Sequence, residues 1–405
     1  MRPSKVPNYR SHLSPWFQPL NLVVNRKLAR RPFLNILIPT LLVSKMSGGP
    51  NTILILATML ASRGINVRLI STNTPVDPDS VALAAHLMKL SGIDALPEGL
   101  VLIDGNDRSV AIEIGADDLF MATAWWTAQI AKYSVGLTRH TKFLYMIQDC
   151  ETLLHASSTD YALTLETYGL PHVPIINTRV LRDHFVSTKI GQFSDRAFAK
   201  EAIVFEPAVD RAFFHPMPRK ARKAKNKLLF YARPLSGHRN LFQLGVAALQ
   251  KLLEERVISS ASWEFLALGN EAPLLSLGKR AVLVPLPWQG FAEYAKTMRE
   301  ADVLLSLMLS PHPSYPPLEM AACGRPAVTN TFGAKTEEVL AKLSPNIVGA
   351  EPTIESIADR LGFVMNRVNA TRWRGDTLSY PSTWDQSLKP ILPKILAAMD
   401  AIRAG

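Results

Sequence analysis

Apolar runs of strand length alternate with helical patterns along most of this chain. The first, NILIPTLLV (35–43), leads into the turn SKMSGGPN (44–51) and a helical pattern over 52–63. Pro50 suits a first helical turn, where its missing N–H would be unpaired anyway, and Gly64 suits the helix end. INVRLIST (65–72) alternates as the next strand, so residues 35–72 predict a βαβ unit and a parallel sheet. Apolar runs at 110–114, 143–147, 174–176 and 202–205 carry that sheet to about residue 205. PMPRKARKAKNK (216–227), with six basic residues and no acid, predicts a surface linker. The rhythm then restarts with LLFYAR (228–233), a helix over 240–256, WEFLALG (263–269), AVLVPL, a helix over 292–299 and DVLLSLML. The last pattern, 387–402, is a helix broken at Pro390 and Pro393 that can return to brace the first domain.

The predicted fold class is α/β with two Rossmann-like domains facing each other across a cleft, where the carboxyl ends of parallel strands bind ligands. The predicted division is a leader over 1–34, a first domain over 35–210, a second over 211–386, and the C-terminal helix 387–405.

Composition narrows the function classes. With 405 residues, 47% hydrophobic and 20% charged, the chain is neither disordered nor a stapled miniprotein. Forty-five Lys plus Arg against 34 Asp plus Glu give +11, which favours an anionic partner: nucleic acid, a membrane face or a phosphate-bearing molecule. Two cysteines, Cys150 and Cys323, cannot build a disulfide framework and predict a reducing, cytoplasmic setting. The first twenty residues lack the apolar core of a secretory signal. The run 34–43 is about half the length of a membrane span and is interrupted by Pro39. Basic stretches at 26–31 and 219–227 leave peripheral docking on an anionic inner membrane face open; they lack the interleaved aromatics of single-strand nucleic-acid binders.

The richest chemistry lies in ADVLLSLMLSPHPSYPPLEMAACGRPAVTN (301–330): a buried strand, a stiff proline loop, and a helix beginning near Pro317 with Glu319 in its first turn. The helix start, Ser314, Tyr315, Pro316, Pro317 and Leu318, can hold a diphosphate on its amides. Glu319 either accepts from vicinal hydroxyls such as those of a ribose or merely offsets the helix dipole; spacing alone leaves both roles open.

PSYPPLEMAACGRPAV resembles the donor-binding segment of the retaining glycosyltransferase family 4, in which two glutamates eight positions apart precede a small-residue helix and a Gly-x-Pro-Val turn. Glu319 matches the second glutamate, which implies hydrogen bonds to the ribose of a nucleotide sugar. The first falls on Pro311, a departure from the pattern; the adjacent His312, on a loop, is expected at the surface. PHPSYPPLE is similar to a narrower subgroup, the WsaF-like rhamnosyltransferases, which implies a donor contact for Tyr315 and a deoxysugar donor such as dTDP-L-rhamnose. In LLFYARPLSGHRN, the resemblance implies that Arg233 and Arg239 grip the diphosphate, a role that two cations at a sheet mouth suit; an isolated pair would be solvated surface. FEPAVDRAFFHP, with Asp210, resembles the passage that ends the first domain, and PLPWQGFAEYA the segment that reads the base. There Trp288 either stacks on a pyrimidine or packs between domains.

In the first domain, Gly48 and Gly49 resemble the glycine turn that approaches the sugar and diphosphate, with Lys45 beside them. YMIQDCETLLH carries Gln148 and Asp149 where many family members have a His-Asp pair. Asp149 and Glu151 are candidates for orienting the acceptor hydroxyl, with helix capping the competing role of Glu151. Trp125 and Trp126 serve either as an acceptor platform or as core. The catalytic candidates are thus Asp149, Gln148 and Arg233. The acid pair Asp77-x-Asp79 has the form of a manganese motif, but its proline-rich setting predicts a turn, and no metal is expected. Zinc-protease, nucleophile-elbow, Walker and dinucleotide fingerprints are missing from the sequence. The expected activity is metal-independent transfer of a sugar, with retention, to a glycan or lipid-linked glycan. The competing class is a non-enzymatic basic surface binder.

Overall fold

The computed structural model describes residues 17–46, 48–218, 225–234, 240–269, 272–368, 373 and 375–405, the side chains of 29 and 30 excepted. The start of the leader, half of the basic linker (219–224), Ser47 and Arg239 therefore lie outside the described residues. The chain divides into two compact units, Met1–Asn177 with Thr188–Phe205 and Leu388–Gly405, and Thr178–Ser187 with Glu206–Ser387.

In the first unit the strands are β1 (Leu22–Val24), β2 (Phe33–Ile38), β3 (Asn66–Ser71), β4 (Leu100–Asp104), β5 (Ile112–Ile114), β6 (Leu119–Ala122), β7 (Phe143–Ile147), β8 (His172–Asn177) and β9 (Ile203–Phe205). The main sheet runs β4-β3-β2-β6-β7-β8-β9, parallel throughout. Helices cover both faces, so β2 is buried along almost its whole length and is apolar at successive positions. The second unit holds β10 (Asn226–Tyr231), β11 (Trp263–Leu268), β12 (Leu275–Gly278), β13 (Ala281–Pro285), β14 (Val303–Leu305), β15 (Ala327–Asn330) and β16 (Ile347–Ala350). Its sheet runs β12-β13-β11-β10-β14-β15-β16, parallel except for the antiparallel edge strand β12. Leaving β12 aside, both sheets have the doubly wound strand order. The order reverses between β2 and β6 in one unit and between β10 and β14 in the other, opening a crevice at the carboxyl ends of those strands.

Several boundaries depart from the sequence expectations for physical reasons. The first strand stops at Ile38, because Pro39 has no N–H for the ladder, and Val43–Lys45 turns as a 3-10 helix. Of the run 110–114 only β5 is strand, and it pairs with β1 in a separate two-stranded sheet. Its expected place in the main sheet belongs to β6, too short a run to stand out by periodicity. DVLLSLML is strand only over β14. Beyond it, Met308 donates its N–H to Asn330 Oδ1 at 2.7 Å and its carbonyl accepts from Asn330 Nδ2, so the ladder gives way to side-chain bonds. At the C-terminus Pro390 lies in a short 3-10 turn, whereas Pro393 sits at the start of the helix Leu392–Ala404, where no donor is missed. That helix belongs to the first unit. Before β2, buried Phe17 and Leu20 join the same unit's core.

One glycine allows close approach beside the second unit's crevice, and another ends a helix at the opposite end of the sheet. Gly269, at φ 133°, follows β11, and a Cβ there would lie 2.1 Å from the Ala232 carbonyl oxygen. Gly324, at φ 69°, ends the helix Tyr315–Ala322 in the left-handed region.

Candidate functional site

In the second unit the helix Tyr315–Ala322 starts two residues earlier than expected, with Ser314 as its N-cap at φ 70°. That conformation costs a serine about 1–3 kcal/mol and persists only where its surroundings dictate it. Here His312 supplies the constraint. It is buried, its N–H donates to Ser310 Oγ, its Nδ1 accepts from the Ser314 N–H at 2.9 Å, and its ring lies 5.9 Å from that of Tyr315. His312 is therefore a buried loop clamp rather than surface. One consequence concerns the amides expected to hold a diphosphate. Pro316 and Pro317 carry no N–H and that of Ser314 is spent on His312, so the expectation narrows to Tyr315 and Leu318.

The early start moves Glu319 into the second turn, where it is 8% exposed, too far along to act as a first-turn dipole partner. The Tyr294 hydroxyl, from the helix Phe291–Glu300, donates to Glu319 Oε2. Burial pushes the Glu319 carboxyl up to about 7, with the Tyr294 hydrogen bond pulling the other way; burial and the neighbouring carboxylate push the Tyr294 phenol well above its usual range.

Beneath the proline loop, fully buried Lys335 donates from Nζ to the Met308 carbonyl at 3.1 Å, joining Asn330 in holding the chain where β14 ends. Arg233 follows β10, partly buried, and among the described residues makes no ion pair. Trp288 lies in the loop between β13 and the helix Phe291–Glu300, 76% exposed and free of packing that would bury it within its own unit. The topology thus brings Arg233, Ser314, Tyr315 and Glu319 to the carboxyl side of β10 and β14. Spacing alone passed over Tyr294, Asn330 and Lys335. Helical spacing from Phe291 puts Tyr294, Ala295 and Met298 on one face, but no periodicity tells that this face meets Glu319.

In the first unit, Gly48 and Gly49 open the helix Gly48–Ala61 rather than a free turn. Lys45 precedes it, exposed. After β7, Gln148 donates from Nε2 to the Gly49 carbonyl at 3.2 Å, and its Oε1 is buried with no partner among the described residues. Asp149 Oδ1 accepts the Cys150 N–H at 2.9 Å. Glu151 Oε2 accepts the Trp125 N–H at 2.6 Å, at the start of the helix Trp125–Val135, so this carboxylate acts as a cap borrowed from a distant loop. Trp125 is 1% exposed, packed edge-on against Trp126 and His155; Trp126 is half-buried. Burial lifts the Cys150 and Cys323 thiols to about 12. Asp77 and Asp79 form the expected turn: Asp77 accepts from the Val43 and Asp79 N–H groups, and Asp79 caps the helix Ser80–Ser91. Among the described residues no three His, Cys, Asp or Glu side chains gather to hold a metal ion. Nor is any described helix long and apolar enough to cross a membrane.

Two domain models of one family match the chain, WsaF N-terminal domain over residues 33–179 and WsaF C-terminal domain over 226–362, together more than two thirds of its length. The chain belongs to the WsaF family. The resemblance carried by PHPSYPPLE therefore holds at the level of whole domains. The O-antigen biosynthesis protein RfbC of Myxococcus xanthus is 37% identical over 265 residues, 65% of this chain. The chain spans about a fifth of that protein's length, 19%. Among solved structures, Anabaena HepE in complex with UDP-glucose is similar at TM-score 0.60 and 14% identity, over 91% of this chain and 99% of that one. WaaG, a glycosyltransferase involved in lipopolysaccharide biosynthesis, is similar at TM-score 0.54 and 13% identity, over 92% and 100%. This WsaF-family chain thus shares its fold with glycosyltransferases of two parallel α/β units.

Proposed function

We infer that this WsaF-family chain is a glycosyltransferase that takes a sugar from a nucleotide diphosphate donor and passes it to a hydroxyl of a glycan or lipid-linked glycan. The observation that carries the donor side is Glu319, a carboxylate buried at the switch point of the second unit with one oxygen tied to Tyr294. Burying a carboxylate is costly, and a nucleoside hydroxyl is a partner that repays it. Arg233 and Arg239 take the diphosphate, with Tyr315 and Leu318 at the helix start. Trp288, exposed on its own unit, stacks on the base. Gly48, Gly49 and Lys45 approach the sugar, while Gln148 and Asp149 orient the reacting groups. Gln148 Oε1, without a partner among the described residues, suits an incoming hydroxyl.

Catalysis is by position and charge: the cations stabilise the departing diphosphate while the acceptor attacks, with retention and without a metal ion. HepE, seen with UDP-glucose, and RfbC, an O-antigen biosynthesis protein, support a nucleotide-sugar donor and a polysaccharide product. The subgroup resemblance supports L-rhamnose on thymidine diphosphate. A thermal-shift panel of UDP-, dTDP- and GDP-sugars and NAD tests the donor: stabilisation by one nucleotide-sugar class supports the reading, and no shift with any overturns it. Transfer that persists in excess EDTA supports metal independence; transfer abolished by EDTA and restored by manganese overturns it.

A second contact accompanies this function. Val23 and Val24 are exposed beside the exposed Arg26 and Lys27, an apolar and basic edge that suits an anionic bilayer carrying the acceptor. Flotation with anionic vesicles at low salt, lost in K27E and R26E variants, checks it; no flotation at low salt sinks it.

A further inference from the structure

We propose that Tyr294 is a positioning residue for the donor site: by donating to Glu319 Oε2 it fixes the carboxylate so that Oε1 is the oxygen offered to the nucleoside sugar. The proposal rests on the nucleotide-sugar reading and deepens it. Three observations carry it. First, the Tyr294 hydroxyl is the one hydrogen-bond donor that Glu319 meets among the described residues, so it alone sets which oxygen is committed. Second, Tyr294 is itself held. Its ring packs edge-on against Phe214 at 5.9 Å, its helix buries Ala295 and Met298, and Arg299, one turn on, donates to the Phe213 carbonyl. The hydroxyl thus reaches Glu319 from a rigid element rather than from a loop, which is what a site needing sub-ångström placement requires. Third, Glu319 sits on the helix whose start is locked by His312 and whose inner face, Leu318, Met320, Ala321 and Ala322, is buried in the same core as Phe214 and Met298. Two packed helices therefore hold the two ends of one hydrogen bond.

A hydrogen bond of this kind also governs ionisation. Burial favours the neutral carboxyl, and the phenol hydroxyl favours the charged one. The titratable and charged groups around the pair are Tyr231 beside Tyr294 and Cys323 beside Glu319, with Arg299, Arg325 and Asp376 around Cys323. With the carboxyl near 7, nucleotide-sugar binding to an ionised Glu319 strengthens as pH rises from 6 to 8, by roughly tenfold for a single ionisation. A nucleotide sugar is the right probe, because its diphosphate is esterified at both ends and lacks the terminal phosphate ionisation that falls at about pH 6.

The experiment is calorimetry of the full chain with UDP-glucose and dTDP-glucose from pH 5.5 to 9, for wild type, Y294F, E319Q and the double variant. The expected result is that Y294F weakens binding about tenfold at pH 7 and moves the midpoint of the profile upward. E319Q flattens the profile, and adding Y294F to E319Q costs little more, since Tyr294 acts only through Glu319. If wild type binds but Y294F keeps both affinity and midpoint, the positioning role is overturned while the donor reading stands. Equal losses from Y294F with and without E319Q overturn it too, assigning Tyr294 to packing alone. If wild type binds neither sugar nucleotide, both fall together. Should Y294F fail to fold, the E319Q profile decides: persistence of the pH dependence in E319Q overturns the proposal.

Discussion

The two units share a strand order, yet they use the carboxylates beyond their central strands differently. In the second unit the buried Glu319 carboxylate is bonded side chain to side chain by Tyr294, while Asn330, Lys335 and His312 hold the backbone of Met308 and Ser314. In the first unit the acids after β7 serve the backbone. Asp149 accepts from Cys150, Glu151 caps a helix, and Trp125 is core. The Glu319 carboxylate thus meets a side chain at the cost of burial, whereas the Glu151 carboxylate holds a helix end. A buried carboxyl lifted to about 7 is a liability for stability and an asset for binding. A carboxylate on a free helix N–H is the reverse.

The sharpest way to break this contrast is Glu319→Ala, for which nucleotide-sugar affinity should fall about a hundredfold, by the roughly 3 kcal/mol of a hydrogen bond to a charged group. Calorimetry showing unchanged affinity would remove Glu319 from the donor site. The same residue should reveal its cost in the unliganded protein. Its folded value, about 7, lies above the usual 4.5, so between these pH values the folded state binds the extra proton and stability falls as pH rises. Above pH 7 that loss amounts to about 3 kcal/mol at most, present at pH 8 and gone below about pH 4. Glu319→Gln should therefore raise stability to urea at pH 8 and leave it unchanged at pH 4. An equal effect at both values would assign the gain to packing.

On the other side of the comparison, Glu151→Ala should cost about 1–2 kcal/mol of stability through the lost cap and leave nucleotide-sugar affinity alone. A variant of full stability that no longer transfers sugar would instead make Glu151 part of the chemistry. The smallest effect concerns the thiols. With both lifted to about 12 and buried, neither Cys150 nor Cys323 should react with a disulfide reagent in the native protein at pH 8. Rapid modification of either would show that its unit opens.

Much of the fold was legible because parallel strands buried on both faces are nearly continuous apolar runs. NILI, the greater part of β2, and FLYMI announce themselves without alignment, whereas Phe33 and Leu34 fall within the predicted leader. What stayed hidden were half-exposed or very short strands, such as β4, β6 and β12, whose patterns blend into loops. Partner choice was equally hidden: alternation over Val110 to Ile114 marks a strand, but not that β5 pairs with β1 rather than joining the main sheet. In the candidate site, PSYPPLE pointed to Glu319 and Tyr315 because a proline-stiffened helix start is a local feature. Tyr294 and Lys335 were invisible because their partners lie 25 and 27 positions away in the chain.

By itself, then, the chain's sequence determined its class, two doubly wound α/β domains, and the proline-stiffened helix start that carries Glu319. Periodicity, proline and glycine act within a few residues, and such short-range rules suffice for elements and fold class; the donor role came from the family resemblance. Only the tertiary structure decided the electrostatics: that Glu319 lies buried in a second turn beside a phenol, that His312 is buried, and that Glu151 caps a helix. Burial and long-range hydrogen bonds are properties of packing, and packing brings together side chains that no local pattern relates.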